Sequence, residues 1–159
     1  MPEQVKSPPR VPPRWFIRAA WAVHRALYTT TRGKLGVWLP KPGGWGALRL
    51  TTTGRHSGKK RSAILGYLVD GSNFVAIAMN GWGSADPAWS LNLKTNPHAS
   101  VVTADWRGQV TATEATGAER DRLWSRWSEL EPDLSGFAHL RPRPTKVVVF
   151  APDTDESAD

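Results

Sequence analysis

The sequence predicts a mainly β protein with accessory helices (α+β): a six-stranded antiparallel split β-barrel preceded by an N-terminal amphipathic helix. Three observations lead there. Beyond Gly46 the apolar pattern changes from helical to extended. Six short segments rich in Val, Ile, Thr and Leu then follow, with Asp70-Gly71 and Trp106-Arg107-Gly108 as turns between neighbours. Only short helical stretches interrupt them, which suits consecutive antiparallel strands rather than a parallel sheet with crossover helices. A chain of 159 residues and 17.5 kDa fits one compact domain. The expected organisation is a flexible Pro-rich arm over 1–13, a single domain over 14–151 and an acidic disordered tail over 152–159.

In chain order, the arm carries five prolines and no periodicity. It lacks the apolar core of a secretory signal, and the longest apolar run, 63–69, is interrupted by Gly66 and is far short of the roughly 18 residues a bilayer span needs. A cytoplasmic protein is expected. Over 14–28, at 100° per residue, Arg14, Arg18 and Arg25 fall within about 40° of one another, opposite Phe16, Val23 and Leu27. That helix either packs on the domain by its apolar stripe or lies at the anionic inner face of the plasma membrane, with Trp15, Trp21 and Tyr28 at the boundary. Residues 33–46 form a Gly, Pro and Lys loop. The strands are expected at 47–53, 61–70, 73–79, 99–105, 107–114 and 145–151. Asp86-Pro87 opens a short helix that must stop at Asn96-Pro97. Thr116 and Glu119 form a capping box before the Leu123, Trp124, Trp127, Leu130 stripe of a second helix.

Charge is distributed unevenly. Residues 1–61 hold 13 of the 21 Lys and Arg and one acid, a balance of +12, whereas 62–159 hold 8 bases and 13 acids, a balance of −5. The basic third therefore faces something anionic. With no cysteine, disulfides, thiolate nucleophiles and Fe–S clusters are excluded. His24, His56, His98 and His139 lie on separate elements without metal-ligand spacing, so no zinc site is expected. No G-x-S-x-G elbow is present either.

Chemistry concentrates in two loops. Thr53-Gly54-Arg55-His56-Ser57-Gly58-Lys59-Lys60-Arg61 joins the first two strands, so backbone N–H groups and cations can converge on an anion. It is no Walker A loop, because three residues separate the glycines, no Ser or Thr follows the lysine and no helix follows. The second loop follows Met79. Its Asn80, Gly81, Trp82 and Gly83 permit close backbone approach to a flat ligand, and Trp89 lies one turn into the next helix.

Leu50-Thr51-Thr52-Thr53-Gly54-Arg55-x-Ser57-Gly58-x-x-Arg61, then Asp86-Pro87-Ala88-Trp89-x-x-Asn92-Leu93-x-x-Asn96-Pro97, then Val147-Val148-Val149-Phe150-Ala151-Pro152, resemble the deazaflavin (F420)-dependent nitroreductase and quinone reductase family of actinobacteria. The resemblance runs over nearly the whole chain. It implies a split β-barrel and an oxidoreductase that passes a hydride from reduced F420 to a small hydrophobic or quinone/nitro-type acceptor. The phosphate and glutamate tail would sit in the basic loop at 53–61, with the rings against Met79, Asn80, Gly81, Trp82 and Gly83 above Trp89. The sequence departs from the family where tyrosines often precede the last strand: Phe137 stands at one of them, with His139 as the nearby alternative proton source. Ser90 replaces the second aromatic of a Trp-Tyr pair, and Gly66 an aromatic.

FMN is the alternative cofactor, since spacing does not separate two ligands that both carry a flat tricycle and a phosphate. A non-catalytic F420-binding or membrane-associated protein is the alternative function. The expected partner is a small-molecule substrate, with peripheral membrane contact through 14–28, no nucleic acid, and a monomer or homodimer.

Overall fold

The computed structural model describes residues 13, 15, 16, 18, 19, 22, 23, 26, 36–79 and 85–154. The arm and most of the 14–28 segment lie outside the described residues. Six strands, β1 (Gly46–Thr53), β2 (Lys60–Asp70), β3 (Asn73–Ala78), β4 (His98–Val102), β5 (Arg107–Glu114) and β6 (Lys146–Pro152), form a closed barrel in the order β1-β2-β3-β6-β5-β4. Every pairing is antiparallel. Three helices accompany them: α1 (Ala88–Thr95), α2 (Gly117–Leu130) and α3 (Leu134–His139).

Alternation along β1 sets the inside of the barrel. Leu48, Leu50 and Thr52 are buried and face Leu65, Ala63 and Arg61 of β2 across the register. One cluster fills the interior with Leu48, Leu50, Tyr67, Val101, Val110 and Phe150, and α1 adds Trp89 and Leu93 to it. A second cluster lies outside the barrel wall. There Leu123 and Trp127 of α2 and Leu134 of α3 cover Leu68, Val75, Val147 and Val149. A helix with one apolar stripe gains most of its stability from such packing.

Several boundaries differ from those the sequence predicts. The fourth strand ends at Val102, because Thr103 closes the turn: its N–H donates to the Trp106 carbonyl at 2.8 Å and its hydroxyl to Asp105 at 2.9 Å. At the first helix the extended N-cap is Pro87, with no side-chain cap, since the Asp86 carboxylate is engaged by Arg141 instead. Thr116 is the N-cap of α2, yet it too makes no side-chain cap bond. Helix α3 was not expected. At the other end, Pro152 belongs to β6 and Asp153 is held to β5 twice, by its N–H to the Gln109 carbonyl at 2.9 Å and by its carboxylate accepting from Thr111 at 2.7 Å. The start of the expected acidic tail is therefore ordered by strand pairing.

Of the 14–28 segment, residues 15, 16, 18, 19, 22, 23 and 26 are helical, and Phe16 and Val23 are 52% and 59% exposed. At those two positions the domain does not cover the apolar stripe. No described helix is long and apolar enough to cross a membrane.

Candidate functional site

The β1–β2 connection is a turn that folds on itself. The Gly54 N–H donates to the Lys59 carbonyl at 2.8 Å, and the Gly58 N–H donates to the Gly54 carbonyl at 2.8 Å. Gly58 sits at φ +66°, where a Cβ is disfavoured. At Gly54 a Cβ would lie 2.9 Å from the Ser57 hydroxyl and 3.1 Å from the Lys59 carbonyl, so only glycine lets the turn close this tightly. The closure leaves Arg55, His56, Ser57, Lys59, Lys60 and Arg61 exposed on one rim of the barrel. Lys60 Nζ donates to Thr53 Oγ1 at 3.3 Å, and the Lys59 N–H donates to Ser57 Oγ at 3.3 Å. Among the described residues none of Arg55, Lys59, Lys60 and Arg61 has a carboxylate partner.

Asn92, in the middle of α1, anchors this turn. Its side-chain oxygen accepts from the Arg55 N–H at 3.1 Å and from Arg55 Nη1 at 3.2 Å, while its amide NH2 donates to Thr52 Oγ1 at 3.0 Å. Both Asn92 and Thr52 are buried. A buried amide that spends both its acceptor and a donor on one loop fixes that loop to the helix.

A second buried polar group lies at the start of α1. Arg141, two residues beyond α3, pairs with Asp86 at 2.6 Å, and the two side chains are only 2% and 7% exposed. Its Nη1 also donates to the Ala78 carbonyl at 3.2 Å and to Thr145 Oγ1 at 2.9 Å, joining the end of β3 to the approach to β6. Removing one partner of such a buried pair costs on the order of 3–5 kcal/mol. Sequence reasoning missed Asn92 as an anchor and missed Arg141 altogether.

The predicted ring-binding residues divide. Asn80, Gly81, Trp82 and Gly83 lie outside the described residues. Met79 is half-buried against the outer cluster of α2 and α3. Trp89 is 7% exposed within the barrel and packs on Phe150 at 6.1 Å between ring centroids, so it forms a floor rather than an open stacking face. On α3, Phe137 is half-buried and His139 exposed, and the chain runs directly from them into Arg141. Gly66 has Trp45 and Trp127 where a side chain would stand, the nearer at 3.1 Å. Its neighbour Tyr67 points into the barrel, where burial first and the Asp105 charge second push its hydroxyl up to about 12.

A family model described as F420H(2)-dependent quinone reductase matches residues 21–152. The chain belongs to that family. Membership makes it an F420-dependent oxidoreductase and settles the cofactor as F420 rather than FMN. Among F420H(2)-dependent quinone reductases, the Mycobacterium tuberculosis protein Rv3178, provisionally named for this activity, is 30% identical over 105 residues, 66% of this chain and 88% of its own. The solved F420-H2 dependent reductase FDR-A is 30% identical with a TM-score of 0.60, covering 65% of this chain and 92% of its own. A structure described as a domain-swapped dimer is 28% identical with a TM-score of 0.64, over 87% and 99% of the two chains. The haem storage protein HutZ from Vibrio cholerae, at 13% identity and a TM-score of 0.52 over 68% and 82%, shares the fold alone.

Proposed function

We propose that this F420-dependent oxidoreductase reduces a small hydrophobic acceptor of quinone or nitro type by hydride transfer, with the anionic tail of F420 held by the turn at 53–61. The observation that carries this reading is the set of exposed cations on a turn that supplies them with no carboxylate. A phosphodiester and tail carboxylates need distributed positive charge, and each charge-assisted hydrogen bond contributes about 1.5–3 kcal/mol when partly shielded, so two or three anchor the tail. Arg55 and Arg61 are the principal contacts, with His56, Ser57, Lys59 and Lys60 around them. Bound reduced F420 supplies the hydride.

The remaining work falls to the chain's own residues. Trp89 with Leu93 packs into the barrel interior and closes it against water beneath the rings. Phe137 stacks on an apolar acceptor and has no proton to give, so protonation of the reduced acceptor falls to His139 or to water. Tyr67 does not substitute, because its hydroxyl is buried in the barrel, away from the acceptor beside α3, and burial, which pushes its pKa up to about 12, makes it a weaker acid than an ordinary tyrosine.

Steady-state quinone reduction tests this. Phe137→Tyr raises the rate at saturating cofactor by up to about 10²-fold, the range positioned acids contribute. His139→Ala lowers the native rate if histidine delivers the proton and leaves it unchanged if water does. Brisk quinone reduction that responds to neither substitution contradicts the placement of the acceptor beside α3.

Peripheral contact of 14–28 with an anionic leaflet is a separate reading, favoured by the exposure of Trp15, Phe16 and Val23 at 70%, 52% and 59%. Deletion of residues 1–28 then moves the protein off anionic vesicles while F420 binding persists; aggregation of the truncated protein instead assigns the segment to the domain. A homodimer is the proposed assembly, supported by the relative described as a domain-swapped dimer.

A further inference from the structure

We infer that Arg141 and Asp86 are positioning residues for the anion-binding turn, acting at a distance through α1. The inference rests on the F420 reading above for its functional meaning, and on hydrogen bonds for its physical content. Helix α1 is held at two points. At its start Asp86 is gripped by Arg141, whose other bonds reach the Ala78 carbonyl and Thr145 Oγ1. In its middle Asn92 grips Thr52 and both the backbone and the guanidinium of Arg55. The helix has only 8 residues and makes no side-chain bond at its N-cap, so it has little intrinsic means of fixing its own axial position. The Thr145 carbonyl is in turn held by Arg120 at 2.8 Å, which ties the clamp to α2. Loss of the Asp86 grip frees the first turn of α1 to shift, and Asn92 carries that shift to Arg55. Displacements near 1 Å suffice to degrade binding and reaction geometry by up to about 10²-fold.

The test uses the full chain and a readout that needs no cofactor. In the apo protein, the Arg55 amide, whose acceptor is Asn92, exchanges its hydrogen about tenfold faster in Asp86→Asn than in the parent, while amides of β5 keep their protection. The same variant binds F420 about tenfold more weakly, and Asp86→Glu restores part of both effects. Thr145→Val, which removes one bond of the clamp and keeps the ion pair, shows a smaller change in the same direction and carries the test if Asp86→Asn fails to fold. Faster exchange at Arg55 with weaker F420 binding supports the inference. A lowered melting temperature with unchanged Arg55 exchange relative to β5 overturns it, leaving the pair merely structural. Failure of the F420 reading is a different result: Arg55→Ala would bind F420 as the parent does, while exchange in the apo protein still reports on the clamp.

Discussion

The two ends of β2 carry arginines to opposite purposes. At its last residue, Asp70 receives Arg122 at 2.8 Å and Arg126 at 2.9 Å, and Arg126 also donates to the Val69 carbonyl at 2.9 Å. This hydrogen-bonded pairing, led by Arg122, holds the Asp70 carboxyl below its ordinary 3.8 and fastens α2 over the β2–β3 hairpin. At the other end Arg55, Lys59, Lys60 and Arg61 gather on one turn without a carboxylate among the described residues, and what holds them is backbone, Thr53 and Asn92. Cations that the fold has already neutralised are structural. Cations held in place by neutral groups keep their charge for a ligand.

The comparison breaks first at the turn. Arg55→Ala with Arg61→Ala weakens F420 binding by more than about tenfold, some 1.4 kcal/mol, while the unfolding free energy stays within about 0.5 kcal/mol of the parent, as substitutions of exposed side chains do. Fluorescence titration and denaturant unfolding measure the two sides; equal affinity rejects the turn as the anchor. The mirror experiment, Arg122→Gln with Arg126→Gln, leaves F420 affinity unchanged and lowers stability only slightly, since these arginines are half exposed and their pairing is screened by solvent. Raising salt from about 50 to about 500 mM weakens F420 binding in the parent, because the Debye length contracts severalfold, and has less effect in the turn variant. The smallest effect is the pH dependence. A carboxylate whose folded pKa is depressed stabilises the fold above its unfolded value near 3.8 and loses that contribution as pH falls through the folded value. Asp70→Asn therefore lowers stability slightly at neutrality and everywhere above about pH 4, and flattens the acid limb of the stability curve, parent and variant converging as pH falls through the folded value.

Much of this contrast was legible in the sequence, and what was not follows from chain separation. The six strands declare themselves by local alternation and turn residues, which is why β5 matches its expected bounds of 107–114 and the other strands fall within a few residues of theirs. Likewise the turn at 53–61 could be seen because its glycines and cations are contiguous. The partners that organise the site are not contiguous: Asn92 lies 37 residues from Arg55, and Arg141 lies 55 from Asp86 and 63 from Ala78. No local pattern couples them. Helix α3 escaped for a different reason, since six residues with Gly136 inside carry too little periodicity to register. Trp89 shows the opposite limit: its place on the helix after Asp86-Pro87 was readable, but only the closed barrel reveals that its ring faces Phe150.

The central claim is that the 53–61 turn recognises the anionic tail of the cofactor rather than its rings. The direct measurement compares dissociation constants for F420 and for the same deazaflavin lacking the phosphate and glutamate tail, in the parent and in the Arg55→Ala, Arg61→Ala variant. The account predicts that the parent prefers the tailed ligand by more than about a hundredfold, the contribution of two or three partly shielded charge-assisted hydrogen bonds, and that the variant loses most of this preference. Equal affinity of the parent for both ligands, or an undiminished preference in the variant, would contradict it.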